Sequence, residues 1–259
     1  MKRKNMAAMV TSIALVGAVA VGGTLALLTA ESNTVTNTFA VGANYPENAL
    51  QLREHDVNRE ADGDYVSKGG DYWKTEGADY IGIEYTDLWK ENTLDKDPQF
   101  ILNAGSADSW IVASITGMDV DEDTQAPVNT VGGGVLEVSK LSSEVGLSDA
   151  VWYKYDVDAA KKPGATFETA FTAVTQPAQI TNGLYIYKEK VSAGESTAAL
   201  FTQMKVNGSE TAITIDDNVN MTIQGVAVAA LADDQYDTLQ EAAFSAIEAA
   251  NGVLHPSAD

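Results

Sequence analysis

Short runs of alternating apolar and polar residues recur along the chain between about residue 80 and residue 230. Successive side chains of a strand point to opposite faces, so a period of two is typical of strands with one buried face. Many such strands separated by turn residues predict a mainly β fold, a jelly-roll-like antiparallel sandwich. The runs predict strands at residues 80–85, 110–115, 151–155, 184–187, 199–206, 212–215 and 221–229.

One stretch near the C-terminus, residues 233–250, follows a helical period instead. Two aspartates begin the stretch, where negative charge suits the positive end of a helix dipole, and Gly252 follows its end. The sequence therefore predicts a C-terminal helix whose apolar stripe packs against a sheet. The residues of that stripe, at three-to-four spacing, are Tyr236, Leu239, Ala243, Phe244 and Ile247.

Two polar, glycine-bearing stretches, residues 56–77 and 119–134, follow neither period and are predicted to be loop insertions. In the second stretch, Asp119, Asp121 and Asp123 place carboxylates at alternate positions, as in a calcium-binding loop. The glycine at the sixth position and the glutamate at the twelfth that an EF-hand requires are both missing. We therefore predict a solvated acidic loop and no cofactor, with opportunistic Ca²⁺ binding at the three aspartates left open.

The first 30 residues read as a unit of their own. Residues 2–4 are basic, and the apolar, small-residue stretch 7–28 follows them, which is the layout of a secretory signal peptide. Cleavage after Ala26 or after Ala30 would satisfy the small-x-small rule. The prediction is a signal peptide over residues 1–30 and one domain over 31–259. The alternative is an uncleaved membrane anchor, which would be a weak span because alanine and glycine dominate it.

Composition narrows the class of protein further. The chain has 259 residues, 45% of them hydrophobic, which is enough for a large core without covalent staples. It has no cysteine, so disulfides and thiolate metal sites are excluded, and in an exported protein this favours a bacterial origin. A formal net charge of -21 repels phosphate backbones and argues against nucleic-acid binding.

Motifs for catalysis are sparse. His55 and His255 stand in polar or terminal surroundings and neither belongs to an HExxH motif, so no zinc-hydrolase ligand set is visible. The chain has neither a G-x-S-x-G elbow nor a cysteine nucleophile. A carboxylate pair for glycoside hydrolysis stays open among the 37 acidic residues. We predict that the protein is not an enzyme.

Three stretches together resemble one known family. The first has Gly-Gly-Thr near the end of the signal, then "NTFAVG" (37–42) and "ALQLREHDVN" (49–58). The second is "KDPQFILNAGSADSWIVASI" (96–115). The third is "LYIYKEKVSAGESTAALFTQMKV" (184–206), followed by "MTIQGVAVAAL" (221–231) and the helix. In this order they are similar to the TasA/camelysin family of Gram-positive bacteria, also called spore-coat-associated protein N.

The resemblance implies an exported jelly-roll domain that a dedicated signal peptidase trims and that polymerises into extracellular biofilm-matrix fibres. It implies a location in the extracellular matrix or at the cell surface. The implied partners are further copies of the chain, the signal peptidase and accessory or anchoring matrix proteins. In that family the freed N-terminal segment is a donor strand that completes the sheet of the next subunit, which by position is 31–41 here. "LLTAES" (27–32) departs from the family pattern, which has an aromatic and an acidic residue just after the signal.

Residues 34–41 also suit a donor strand on physical grounds. Thr34, Val35, Thr36, Phe39 and Val41 are β-branched or aromatic, the residue types favoured in strands. Val35, Phe39 and Val41 would share one face of an extended chain. Beside an exposed sheet edge, the backbone would form hydrogen bonds and these side chains would fill pockets. The alternative is that the same residues are the first strand of their own domain.

The leading prediction from the sequence is a secreted fibre subunit that assembles head-to-tail after removal of the signal peptide. Two other classes stay open. One is a surface metallopeptidase, a label given to some relatives that no motif of this chain supports. The other is a monomeric surface module of the adhesin type. Chelator-sensitive proteolysis would indicate the peptidase, and monomeric behaviour of the processed protein would indicate the adhesin.

Overall fold

A computed structural model of the protein describes residues 24–27, 33–34, 40–41, 49–72, 80–81, 88–142, 151–207, 220–230 and 237–254. Strands are numbered β1 to β17 and helices α1 to α3 in chain order. The fold of the described residues is mainly β with a C-terminal helix, as the sequence predicts. Its strands form two large sheets and two short ribbons.

The larger of the two sheets has seven strands within the described residues. All of its neighbouring strands are antiparallel except one parallel pair, β3 with β17. Six of the strands follow one another across the sheet, and β3 lies beside β17 at the same edge as β1. The order is β1 (Thr24–Leu27), β17 (Asn220–Ala229), β10 (Ser109–Thr116), β15 (Gly183–Tyr187), β13 (Trp152–Tyr155) and β14 (Phe171–Ala173), with β3 at Ala40–Val41.

The second sheet has six strands within the described residues, and two ribbons of two strands each accompany it. The order of the six strands is β11 (Thr130–Val131), β12 (Leu136–Lys140), β16 (Gln203–Val206), β8 (Thr93–Asp95), β6 (Tyr65–Tyr72) and β5 (His55–Arg59). The ribbons pair β4 (Leu50–Arg53) with β9 (Gln99–Leu102) and β2 (Asn33–Thr34) with β7 (Tyr80–Ile81).

The main hydrophobic core lies between the two large sheets. The six-stranded sheet contributes alternate residues such as Leu136 and Val138, and the seven-stranded sheet contributes Ile115 and Trp152. Phe100 joins them from the β4–β9 ribbon, its ring edge-on to Trp152 with 6.3 Å between centroids. Each of these five residues is at most 1% exposed. The described strands therefore form a sandwich with a closed, aromatic-rich centre.

The other face of the seven-stranded sheet is covered by helices. Helix α3 (Leu239–Leu254) buries Leu239, Ala243 and Ile247, three members of the predicted stripe, against a second cluster that includes Trp110 and Val226. Phe244 packs against the same cluster while partly buried. Two one-turn helices and a 3₁₀ turn come earlier in the chain: α1 (Val157–Ala160), α2 (Phe167–Ala170) and Pro177–Gln179.

The helix begins later than the sequence pattern predicts, at Leu239 rather than at residue 233. Thr238 donates from its backbone N–H and its hydroxyl to the Glu241 carboxylate, at 3.2 and 2.8 Å, which caps the helix at that point. Tyr236, the first residue of the predicted stripe, lies outside the described residues. The helix ends at Leu254, two residues beyond Gly252.

Most of the predicted strands are confirmed where the structure describes them. The predictions at 110–115, 151–155, 184–187 and 221–229 correspond to β10, β13, β15 and β17. Only the second half of 199–206 is a strand, β16, and of 80–85 the structure describes the short strand β7. The prediction at 212–215 lies outside the described residues.

The prediction of a loop over residues 56–77 is wrong for most of its length. Strands β5 and β6 form an antiparallel hairpin there, with Val57 opposite Ser67 and Arg59 opposite Tyr65. The hairpin lies at the end of the six-stranded sheet, where β5 needs few apolar residues, so its composition resembles that of a loop. Residues 119–134 are irregular apart from an isolated bridge and β11, as the sequence predicts.

Among the described residues, no helix combines the length and the apolar character needed to cross a membrane.

Candidate assembly edge

Strand β17 is the longest strand that the structure describes, with one face on the core between the sheets and the other on the helix side. It pairs with β10 along eight residues, from Thr222 opposite Thr116 to Ala229 opposite Ser109. Met221 and Ile223, both fully buried, face the core between the sheets, and Val226 faces the helix side. Any further partner of β17 can therefore reach it only along its outer edge.

A glycine in the middle of β17 brings a neighbouring ribbon into direct contact with its backbone. A Cβ atom at Gly225 would lie 2.2 Å from a ring carbon of Phe100, which is closer than real contacts allow. Phe100 belongs to β9, and its ring fits this closely against the strand only because Gly225 carries no side chain. This contact fixes β17 against the β4–β9 ribbon.

The outer edge of β17 carries two N-terminal segments of the same chain. Strand β1 pairs with its first half in antiparallel order, from Thr24 opposite Ile223 to Leu27 opposite Asn220. Strand β3 pairs with its second half in parallel order, with Ala40 opposite Ala227 and Val41 opposite Val228. A strand edge presents unpaired N–H and C=O groups, so it accepts an extended segment in either direction. We call this outer edge of β17, residues 220–229, the assembly edge.

The predicted donor residues are divided between two partners in the chain's own fold. Val41 lies on the assembly edge, whereas Thr34 lies in β2 and pairs with Tyr80 of β7. Of the two predicted cleavage residues, Ala26 lies within β1, opposite Met221. The remaining predicted residues, Ala30, Val35, Thr36 and Phe39, lie outside the described residues.

The other sheet ends in the described part of the chain are short or polar. Strand β14, at the far end of the seven-stranded sheet, has three residues, and β11 has two. Strand β5 ends in the exposed residues Asn58 and Arg59. Short and charged strands are the usual means by which a sheet end avoids further pairing. The long and largely apolar β17 lacks this protection, which makes its edge the best candidate for strand addition.

The chain passes between the β4–β9 ribbon and the six-stranded sheet at a corner. Two side-chain contacts hold this corner, one made by Lys96 and the other by the next residue, Asp97. The Nζ atom of Lys96 donates to both carboxylate oxygens of Glu54, at 2.8 and 2.7 Å. The carboxylate of Asp97 contacts His55 Nδ1 and accepts a hydrogen bond of 2.8 Å from the His55 backbone N–H. Lys96 is only 3% exposed, so its pair with Glu54 is a buried one. We call these four residues the corner pairs.

The carboxylates of the predicted calcium loop form hydrogen bonds within the loop. Asp119 accepts from the backbone N–H groups of Gly133 and Gly134, at 3.0 and 2.8 Å, and from the Thr130 hydroxyl, at 2.8 Å. Burial acts to raise the pKa of Asp119, but these hydrogen bonds outweigh it and hold the pKa below its usual value. The network ties the loop to the turn between β11 and β12.

Asp121 forms a local turn in the same loop. One of its carboxylate oxygens accepts from the backbone N–H and from the hydroxyl of Thr124, both at 2.7 Å. The hydrogen bonds from Thr124 lower the pKa of Asp121. Asp123 is exposed.

For metal chemistry, the ranges that the structure describes contain no group of three or more His, Asp or Glu side chains arranged to hold an ion. Of the two histidines, His55 belongs to one of the corner pairs, and His255 lies outside the described residues. Sequence reasoning missed the corner pairs because their partners are 42 residues apart in the chain.

A groove of 530 Å³ lies between α3 and the outer face of the seven-stranded sheet. Its lining is mostly apolar and includes Tyr155, Leu184 and Phe244, with Glu248 among its polar groups. Burial raises the pKa of the Tyr155 phenol, and the carboxylates of Glu248 and Asp156 raise it further. No residue of the assembly edge lines this groove.

No family model matches the chain, and no match was found among the curated proteins or the solved structures compared with it. The case for a function therefore comes from the geometry of the assembly edge and from the sequence motifs.

Proposed function

We propose that the protein is an exported structural subunit of extracellular matrix fibres, a TasA/camelysin-like chain with a jelly-roll domain. In this proposal, residues 31–41 of one processed subunit complete the sheet of the next subunit along the assembly edge. The observation that carries the proposal is the pairing of β1 and β3 with the outer edge of β17. Residues from both sides of the predicted cleavage sites already fit that edge in the chain's own fold.

The energetics of strand addition support exchange between copies. The backbone hydrogen bonds that β3 makes with Ala227 and Val228 in one chain are the same bonds that a neighbour's segment would make. Exchange of an identical element therefore costs little in contacts, as in domain swapping. Because the donor segment of one subunit would be accepted by the edge of the next, the contact is head-to-tail, and in this proposal its repetition gives an open filament rather than a closed ring.

The charge of the chain favours this kind of interface over a broad surface contact. At a formal net charge of -21, two subunits repel each other in solution, which opposes non-specific association. Strand addition places the attraction in backbone hydrogen bonds and a few apolar side chains, where surface charge has little effect. A subunit of this kind stays soluble until its strand and its edge are both available.

The remaining parts of the proposal follow from the motifs at the N-terminus. A signal peptide over residues 1–30 would direct export, and a signal peptidase would cut after Ala26 or Ala30. The processed protein would then act in the extracellular matrix or at the cell surface, without catalysis, together with accessory or anchoring proteins of the matrix.

The test is electron microscopy of the processed protein, with and without residues 31–41. We expect filaments from the chain that begins at Glu31 and single subunits from the chain that lacks 31–41. A second variant replaces 31–41 by a Gly/Ser segment of equal length, which keeps the reach of the chain and removes its preference for strands. Filaments from either variant would refute the donor role of the segment. A processed chain that stays monomeric with 31–41 intact would instead indicate a surface binding module.

A further inference from the structure

The predicted cleavage affects the two strands on the assembly edge, β1 and β3, differently. Strand β1 ends at Leu27, so cleavage after Ala30 removes all of it and cleavage after Ala26 removes all but one residue. Strand β3 lies beyond both positions and stays with the processed chain. Processing therefore leaves Ala227 and Val228 paired and removes the partners of residues 221–223, and a cut after Ala30 also removes the partner of Asn220.

We propose that β1 is a temporary edge strand. While the chain is uncut, it covers the assembly edge over residues 220–223, and cleavage uncovers this part of the edge as the acceptor for a second copy of the chain. This inference rests on the proposed function and extends it. The same cut that gives the donor segment its new N-terminus opens the acceptor edge of that subunit.

Strand β1 pairs with the backbone of β17 along this part of the edge. Met221 and Ile223 are fully buried in the core between the sheets, and the inner edge of β17 is hydrogen-bonded to β10. Removal of β1 thus exposes a row of N–H and C=O groups on a strand that is otherwise complete. Such a row fits an extended segment and offers no footprint for a globular surface. The partner that matches it is the N-terminal strand of another copy, residues 31–41.

Tethering explains why the uncut chain would not exchange strands. Strand β1 belongs to the same chain, so its effective concentration at the edge is far above the concentration of free subunits. A donor segment from another copy must displace β1 to bind, and it binds less well than the tethered β1. After the cut, β1 is no longer attached to the domain, and the donor of a neighbouring subunit competes with no tethered rival. Cleavage therefore changes which strand pairs with β17, although β17 itself does not change.

The first experiment measures amide hydrogen exchange in two proteins, the uncut full chain and the processed chain diluted before filaments form. In the processed chain we expect exchange over residues 220–223 to be faster by about tenfold or more, because local opening governs exchange at an uncovered edge. Residues 227–228 are the internal reference, because β3 pairs with them in both proteins. Equal exchange over 220–223 in the two proteins would overturn the inference.

The second experiment opens the edge without a cut. Leu25→Pro in the uncut chain removes a backbone N–H from β1 opposite Thr222 and disrupts the ladder. Ala20→Pro, outside β1, is the matched control. The probe is a labelled synthetic peptide with the sequence of residues 31–41. We expect it to bind the processed chain and the Leu25→Pro chain about tenfold or more tightly than the uncut or Ala20→Pro chain. Equal binding to all four would overturn the inference.

The two proposals fail in different ways. If the processed chain forms filaments but residues 220–223 exchange equally in cut and uncut chains, strand exchange stands and the role of β1 is wrong. If exchange over 220–223 rises on cleavage but no filament forms under any condition, β1 does cover the edge. In that case the fibre function is refuted, and with it the acceptor role.

Discussion

The two large sheets of this protein bury their strands in different ways. In the seven-stranded sheet, β10 has seven consecutive buried residues, because one face meets the core and the other meets α3. In the six-stranded sheet, β12 alternates between buried and partly exposed residues, because only one face meets the core. A strand buried on both faces reads as a continuous apolar run, and a strand buried on one face alternates.

This difference decides which sheet can exchange strands. The edge strand β5 of the six-stranded sheet carries polar and charged residues, which keep other chains from pairing with it. Strand β17 carries no charged residue, and its outer edge is paired with β1 and β3 instead. In the proposed fibre, the seven-stranded sheet would therefore take part in assembly, while the six-stranded sheet, with the corner pairs beside it, would stabilise the domain.

The largest expected effect comes from a change at Gly225, where the seven-stranded sheet meets the β4–β9 ribbon. Gly225→Val places side-chain atoms inside the ring of Phe100, and we expect a loss of at least about 3 kcal/mol in the free energy of unfolding. Urea denaturation measures it. The matched control is Gly252→Val, because a Cβ at Gly252 meets no atom within 4 Å. If both variants kept the wild-type stability, the Phe100 contact would not hold the sheet in place.

The next effect concerns the corner pairs. Lys96→Met leaves the Glu54 carboxylate, 15% exposed, without its partner, and we expect a loss of about 3 kcal/mol. Lys205→Met is the matched control, because Lys205 and Glu91 lie 2.7 Å apart, the same distance as the buried pair, but in solvent. That exposed pair contributes little to the free energy of unfolding, because solvent screens its charges. The double variant Lys96→Met with Glu54→Leu should recover most of the loss, and an equal loss in both lysine variants would contradict the bracing role.

A smaller effect is expected at Tyr185, which is fully buried on the inner face of the seven-stranded sheet. Its hydroxyl accepts from the Thr181 backbone N–H at 2.8 Å and donates to the Thr181 carbonyl at 2.6 Å. Tyr185→Phe leaves both groups unpaired in a buried position, so we expect a loss of about 1–2 kcal/mol. Tyr153→Phe on the helix side serves as the control. Thermal unfolding of the two variants in parallel would show whether the loss is specific to Tyr185.

The smallest effect is a pH dependence in the acidic loop beside the six-stranded sheet. The folded pKa of Asp119 is lowered, so its contribution to stability is complete above its unfolded pKa of about 3.9. That contribution is lost as the pH falls through the lower folded value. Asp119→Asn should therefore destabilise the protein at pH 6 and differ less from wild type at pH 3. Urea midpoints at the two pH values measure this, with Asp123→Asn, an exposed aspartate of the same loop, as the control.

The sequence predicts the strands that the core requires. Strand β10 and helix α3 are visible because apolar residues must recur wherever a face is buried, and their periods differ. The β5–β6 hairpin was missed because an edge strand has no such requirement. The start of α3 was misplaced because Asp233 and Asp234 resemble a helix start as much as Thr238 does, and only the hydrogen bonds to Glu241 distinguish them.

The candidate site was only half predictable. The donor segment is a local pattern of β-branched residues, and local patterns can be read from a sequence. The edge that receives it lies in β17, nearly two hundred residues away, and neither segment has a sequence signal that indicates its partner. The strand at residues 24–27 is also hard to predict, because apolar residues at the end of an export signal are typical of a signal peptide and of a strand alike.

The corner pairs have a consequence for a fibre under tension. In the proposed fibre, a pull on a donor segment that has left its own edge would reach the domain at β4, whose hydrogen bonds to β9 run perpendicular to the strands from Leu50 to Arg53. Force along β4 therefore shears the whole ladder at once instead of peeling its bonds one after another. The next two residues along the chain, Glu54 and His55, are anchored to Lys96 and Asp97. The force that unfolds a subunit of the proposed fibre would then be set by this short stretch.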